Sequence, residues 1–544
     1  MEESKSDPLP YAKVRCARLG WALNGGVQSL IFLYGLFRSV EDALLIACLL
    51  LIVRGPLRRT LAFLSVVLFA HSFTPFSWPV YWCCFSPLVC IWRSNQLSIS
   101  YRRCASEGIA IGFLMCLFST GFVRAGIPYY GLILHAAACL TFSLQIAGIA
   151  IAIRLFSGGS VPFSAAWTSV FATVLEMIQA YFGVTWAVTN PMLTMANTPV
   201  AQWLAILSPF CLSTLLYFVN FLLALDRSKK QECSWRGPVF GVSVLFLLWI
   251  GGFLIASNVS FQPLKFTAML VQPHLPYSIH EQWRPWLKLD ELTMSSLDEN
   301  GSVDLIIWPE TCLSESVFDE GESSEIDVQK QMTLSTFSQT MQLKYATNCL
   351  VGVAVTKKAV SVKYGLPVSE VDRFNCGCLI SPSGLVDCHE KTTLVPFTEG
   401  VPEWLDFKVI RQFVLPVFGC QAPYKAGRGL HRIPFHDQSG TLRTIVVAVC
   451  FESWHPWLLQ YHQEKRVDAI VHLIYDGDFV NHPELIERQV LSCRLRAIET
   501  RTWNLVCSNW SGSAIIDPCG NIVCQLPAQA GALRSNLKPG VKVK

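Results

Sequence analysis

Ile445-Val446-Val447-Ala448-Val449-Cys450-Phe451-Glu452 is an apolar, largely β-branched run that stops abruptly at a thiol and a carboxylate. A short apolar run of this kind predicts a strand that runs straight into Cys450. The same form recurs upstream in Leu305-Ile306-Ile307-Trp308-Pro309-Glu310. Pro309 cannot donate to a ladder hydrogen bond, so it ends the strand and leaves Glu310 at its exit. A third segment, Glu390-Lys391-Thr392-Thr393-Leu394-Val395-Pro396-Phe397-Thr398-Glu399, follows a turn at Ser381-Pro382-Ser383-Gly384 and sets Lys391 before an apolar tract that could wall off water. Taken singly, each has a plain structural reading: a solvated Glu, a surface Lys, a buried Cys.

Around these segments the C-terminal half reads as alternating strands and helices. Strands are expected at Phe266–Val271, Leu305–Trp308, Leu350–Val355, Cys378–Ser381, Ile445–Val449, Ala469–Ile474, Asn504–Ser508 and Ala514–Asp517. Pro483–Arg501 has the helical apolar period, through Leu485, Ile486, Val490, Leu491, Leu495 and Ile498, with Glu487, Arg488, Arg494, Arg496 and Glu499 on its charged face. Strands alternating with helices predict a layered α/β domain.

Upstream of about residue 260 the composition changes to apolar runs broken by short loops. With 544 residues, 52% hydrophobic, 15% charged and a mean hydropathy of +0.39, part of the chain is expected in lipid. Candidate spans lie at 22–37, 40–54, 60–75, 78–92, 107–125, 130–153, 163–182, 200–225 and 238–257. The segments expected inside carry Lys5, Lys13, Arg15 and Arg18, then Arg54, Arg58 and Arg59, then Arg93, Arg102 and Arg103, then Arg154, then Arg227, Lys229, Lys230 and Arg236. The outside loops carry only Arg38 and Arg124, so the charge bias puts everything after about residue 258 on the outer face. The expected domains are an N-terminal extension with a hydrophobic hairpin at 1–58, a polytopic transmembrane helical domain at 59–258, a catalytic domain at 264–530 and a tail at 531–544.

The net charge of +4, with basic residues scattered through loops, argues against a nucleic-acid partner. Most of the 21 cysteines sit in apolar runs, and Cys376 and Cys378 form only a C-x-C, so no metal site is expected. Disulfides among the C-terminal cysteines fit an oxidising compartment.

In the order Glu310, Lys391, Cys450, the three segments resemble the nitrilase, or carbon–nitrogen hydrolase, superfamily, and within it the apolipoprotein N-acyltransferases of bacterial lipoprotein maturation. Arg494-Leu495-Arg496-Ala497-Ile498-Glu499, Ser511-Gly512-Ser513-Ala514-Ile515-Ile516-Asp517-Pro518 with Gly520, and Phe69-Ala70 through Pro75-Phe76 and Trp78-Pro79 add to the likeness. The resemblance implies an αββα sandwich following the membrane helices, on the periplasmic side of a bacterial inner membrane. It also implies Glu310 as general base, Lys391 as oxyanion stabiliser and Cys450 as a nucleophile that carries an acyl thioester. The donor would be a phospholipid, and the acceptor the amine of a diacylglyceryl-cysteine apolipoprotein; no cofactor is implied. Glu399, Glu452 and Phe451 would support the site, Glu452 by orienting Lys391. Trp283, Phe397 and the intramembrane Glu176 would touch substrate, Glu176 also fitting a structural hydrogen-bonding role. Phe451 stands where the family has Tyr, Tyr475-Asp476-Gly477-Asp478-Phe479 replaces its Asn-Asp-x-Trp-Phe loop, and the family's final span has no counterpart before Lys544. A membrane-tethered amidase and a non-catalytic scaffold or transporter are the alternative readings.

Overall fold

A computed structural model describes residues 56–73, 81–93, 100–120, 131–182, 189–224, 236–276, 285–313, 317–318, 334–363, 366–401, 407, 423–456 and 467–535. The two candidate spans before residue 56, and Trp283, lie outside these residues.

The N-terminal half is helical. It contains α1 (Pro56–His71), α2 (Ser86–Arg93), α3 (Tyr101–Ser119), α4 (Gly131–Leu155), α5 (Val161–Phe182), α6 (Pro209–Leu222) and α7 (Arg236–Ser257). Among the described residues two helices, His135–Leu155 within α4 and α7, are long and apolar enough to cross a membrane. Phe240, Phe246, Leu247 and Phe253 on α7, and Trp167, Val174 and Ile178 on α5, are exposed, so the rim of this half is apolar. Two expected spans are corrected. Among the described residues of 78–92 a turn at 82–85 precedes the short α2, and 200–224 is split at Ser208-Pro209, where the Ser208 hydroxyl caps α6 by accepting from Cys211 N–H (3.2 Å). The irregular backbone before α2 is satisfied from within: the Asn220 amide donates to the Tyr81 carbonyl (2.8 Å) and accepts from Phe85 N–H (3.1 Å). Non-helical backbone among apolar helices needs such a partner.

The C-terminal half stacks two sheets. The first takes the order β13-β1-β2-β4-β5-β6, with β3 also on β4: β1 is Ala268–Gln272, β2 Leu305–Ile307, β3 Val317–Phe318, β4 Asn348–Lys363, β5 Leu366–Ser381, β6 Gly384–Glu390 and β13 Gly531–Arg534. The second takes the order β12-β11-β10-β9-β8-β7: β7 is Arg432–His436, β8 Leu442–Val449, β9 Ala469–Ile474, β10 Trp503–Ser508, β11 Ala514–Ile516 and β12 Ile522–Gln525. Leu270, Ile307, Leu350 and Leu379 of one sheet pack on Ile445, Val447, Val471 and Leu505 of the other. At Gly377 an added Cβ would fall 2.7 Å from Val447 Cγ1, so this glycine admits the facing sheet. Helices α8 (Pro285–Asn300) and α9 (Leu334–Tyr345) cover the first sheet, and α10 (Pro483–Thr500) covers the second, completing an αββα sandwich.

All eight expected strands form, with boundaries shifted by a few residues or extended into longer hairpins. The tail expected from residue 531 instead begins with a strand: Met269 pairs with Arg534 and Gln272 with Gly531, closing the first sheet's edge. The helical half rests on α10. Arg488 donates to the Ser119 carbonyl (2.9 Å), Arg501 to Gln202 Oε1 (2.8 Å), and Gln202 to the Cys519 carbonyl (2.9 Å).

Candidate active site

Three strand ends from two sheets converge. Glu310 follows β2, Lys391 follows β6 and Cys450 follows β8, so residues separated by up to 140 positions meet only because the sheets stack. Lys391 is fully buried and donates to Glu399 Oε1 (2.7 Å), with Glu310 Oε1 at 3.4 Å. Asn375 on β5 donates to Glu310 Oε1 (2.7 Å), and its backbone carbonyl accepts from Lys391 N–H (2.8 Å). The other Glu310 oxygen, Oε2, is buried with no hydrogen-bond partner among the described residues.

Close backbone approach places Glu310. A Cβ on Gly352 of β4 would sit 2.4 Å from the Pro309 carbonyl and 2.5 Å from Glu310 Cα, so only glycine lets the two strands' exits lie this near. Trp308 beside it is pinned by its indole N–H on Thr293 Oγ1 (3.0 Å).

Cys450 has φ of +47° at the junction of β8 with a short 3₁₀ turn, Cys450–Trp454. A left-handed non-glycine residue costs about 1–3 kcal/mol, and such strain concentrates where a side chain must be presented at a sharp turn. The surroundings over-determine it. Glu452, fully buried, accepts from Val449 N–H (2.7 Å), Thr392 N–H (2.6 Å), Thr392 Oγ1 (2.7 Å) and His389 Nε2 (2.9 Å). It therefore ties the end of β8 to Thr392, the residue after Lys391, and makes no hydrogen bond to Lys391 itself among the described residues. Burial pushes the Glu452 carboxyl up, but His389 and these donors prevail and hold it down at about 2.

The electrostatics separate the roles. Burial pushes the Glu310 carboxyl up against the pull of Lys391, making it a better proton acceptor. Burial pulls the Lys391 ammonium down, but Glu310 and Glu399 more than offset this and keep it charged. Burial and Glu310 push the Cys450 thiol well up, so it rests protonated and needs a base to react. Its Sγ lies 4.0 Å from the Tyr475 carbonyl. A protonated thiol, a raised carboxylate beside it and a buried ammonium are the kinds of group from which a nucleophile, a base and an oxyanion stabiliser can be built.

Glu399 belongs to the cluster itself: it accepts from Lys391 and, through Oε2, from Val395 N–H (2.7 Å). Phe397 turns the chain at φ +67°, its N–H donating to the Gly400 carbonyl (2.7 Å). Phe451 is half-buried, edge-on to His455 and against the helical half. Glu176 lies elsewhere, on α5 beside Phe69, Tyr81 and Tyr217, accepting from Ser213 Oγ (2.9 Å). Sequence reasoning missed Asn375, His389, Thr392 and Gly352. His389 and Thr392 flank Lys391 and were findable there; Asn375 and Gly352 carry no local signal. A Cys378–Cys388 disulfide joins β5 to β6 just before Lys391.

Residues 267–535 match the carbon-nitrogen hydrolase family model. The chain is 25% identical over 472 residues to an apolipoprotein N-acyltransferase of Pseudomonas syringae pv. tomato, covering 81% of this chain and 83% of that one. It is 25% identical over 355 residues to one of Bradyrhizobium diazoefficiens, covering 60% of this chain and 59% of that one. The match to apolipoprotein N-acyltransferase 2 of Treponema denticola is 24% identical and covers 28% of this chain and 29% of the relative. In the last two the chain thus spans less than two thirds of the relative's length. Among solved structures, a Saccharomyces cerevisiae member of branch 10 of the nitrilase superfamily is 14% identical with a TM-score of 0.35, over 51% of this chain and 92% of that one.

Proposed function

Since residues 267–535 form a carbon–nitrogen hydrolase domain, we propose that the protein is an apolipoprotein N-acyltransferase, working by a thioester on Cys450. The observation that carries this reading is the convergence of Glu310, Lys391 and Cys450 in a buried site on a domain that rests on an apolar helical half. Glu310 takes the thiol proton as Sγ attacks the acyl ester of a phospholipid. Lys391 and backbone N–H groups near Phe451 stabilise the oxyanion, an effect typically worth about 3–4 kcal/mol per donor. The lysophospholipid leaves, and the thioester passes to the α-amino group of a diacylglyceryl-cysteine at an apolipoprotein's N-terminus. Phe397 and Trp283 are proposed to bind substrate.

Three features support lipid substrates. The exposed apolar rim of α5 and α7 is suited to hydrocarbon. The basic residues favour a multi-pass topology with the catalytic domain outside. A cavity of about 610 Å³ between the halves joins an apolar lining, from Phe73, Leu193, Leu491 and Leu526, to a mixed charged one of Glu484, Glu487, Arg488 and Arg494. The Cys378–Cys388 bridge agrees with an oxidising, periplasmic compartment.

The test is incubation with an acyl-labelled phospholipid. The parent should acquire hydroxylamine-sensitive label, and Cys450→Ala should acquire none. Equal labelling of both overturns the thioester. Release of free fatty acid without acylation of a diacylated lipopeptide assigns the site to an amidase instead.

A further inference from the structure

The wall beside the nucleophile carries a carboxylate that the acyl-enzyme step does not use. β8 and β9 run parallel, with Val449 opposite Leu473, so the chain leaving β9 passes alongside Cys450. The Tyr475 carbonyl lies 4.0 Å from Sγ, and Asp478 follows on the short 3₁₀ turn Gly477–Phe479. This loop is braced: Asp476 accepts from Ser508 Oγ (2.6 Å) and Trp510 N–H (3.0 Å), its N–H donates to Asn509 Oδ1 (2.8 Å), and its carbonyl accepts from Phe479 N–H (3.0 Å).

On that rigid turn Asp478 is half-buried, and among the described residues it has no hydrogen bond or ion pair. It senses the charge of Glu310; burial, then Glu310, pushes its carboxyl up to about 6. A second observation points the same way, the buried and partnerless Oε2 of Glu310. Glu310 and Glu399 already engage the one buried ammonium, Lys391, and Asp478 adds a third carboxylate that acts on Glu310. A neutral acyl ester has no use for the surplus negative charge. An incoming cation does.

We infer that Asp478 receives the protonated amine of the acyl acceptor and removes its first proton. The inference rests on the acyl-transfer reading above. The ammonium loses one proton to the Asp478 carboxylate, which passes it to solvent. The free amine then forms its N–C bond to the thioester carbon, the C–S bond breaks, and Glu310 carries the second amine proton to the departing Cys450 sulfur. Asp478 is thus a specificity residue, favouring a cationic amine over water, in the field of the neighbouring Glu310.

The two half-reactions test this separately. Asp478→Asn should acquire hydroxylamine-sensitive acyl label from phospholipid at a rate within about 2-fold of the parent, and its thioester should react normally with hydroxylamine, which is neutral near pH 7. Transfer to a diacylated lipopeptide with a free α-amine should fall at least about 10-fold. The deficit should shrink as pH rises past about 8, where the α-amine is already neutral in solution, and Asp478→Glu should restore part of the rate. Parent-like lipopeptide transfer by Asp478→Asn overturns the assignment. So does an equal loss of labelling, hydroxylamine reaction and transfer, which would mean a structural role. If the parent itself forms no thioester, the acyl-transfer reading fails first and takes this one with it.

Discussion

Glu107 in the helical half and Glu310 in the catalytic pocket are both buried, and their surroundings treat them oppositely. Glu107 on α3 is fully buried and saturated: Arg58 Nη2 (2.5 Å), Arg103 Nε (3.0 Å) and Trp92 Nε1 (3.3 Å) all donate to it. Glu310 is nearly as buried, yet one of its oxygens has no hydrogen-bond partner among the described residues, and burial and Glu310 itself leave the thiol of Cys450 protonated beside it. Full satisfaction makes a carboxylate part of the scaffold. An unsatisfied oxygen keeps it available to accept a proton, and the rest of the fold must hold it there. Within the pocket Glu452 sides with Glu107: its donors are complete and its work is to hold β8 to the Lys391 segment.

Substitutions at these three carboxylates break or sharpen that contrast. The largest effect is expected from Glu310→Gln, which keeps the shape and the acceptor for Asn375 but removes the base. Thioester formation should slow by about 10²–10⁴-fold, while thermal unfolding in detergent shifts by less than about 1 kcal/mol. A stability loss matching the activity loss would erase the distinction.

Glu452 comes next, through pH. Its carboxyl is held at about 2 against an ordinary 4.5, so the folded state favours the ionised form. The stabilisation is present above about pH 4.5 and is lost as pH falls toward about 2, amounting to about 3 kcal/mol in full. Melting temperatures of the parent and Glu452→Gln should differ most near neutral pH and converge on acidification; a constant gap would show that ionisation of Glu452 is not what ties β8 to Lys391.

The smallest functional effect is expected from Glu107→Gln. Arg58 and Arg103 are partly solvated, so losing their partner should cost only about 1–2 kcal/mol of stability, with the labelling rate per folded molecule unchanged within about 2-fold. Slower labelling would mean that the helical half tunes the chemistry directly.

The strands that carry the site were legible because burial on both faces writes itself as an unbroken apolar run. Leu305–Ile307 and Ile445–Val449 needed no partner to be recognised, and the residues that end them, Glu310 and Cys450, were marked by Pro309 and by the sudden stop. Helix ends were harder. The break at Ser208-Pro209 interrupts an otherwise apolar stretch, and hydropathy cannot distinguish one long span from a 3₁₀ turn followed by a capped helix. The strand Gly531–Arg534 was missed because its identity lies in pairing with β1 rather than in its own composition.

The amino-acid sequence by itself determined where strands end and which reactive side chains stand at those ends, because periodicity, proline and turn residues act over neighbouring positions. Only the tertiary structure decided which of them face one another. Asn375 meets Glu310 by register within one sheet, whereas Glu452 on Thr392 and the action of Asp478 on Glu310 need the two sheets to stack; a sheet brings residues together by register and layer rather than by nearness along the chain.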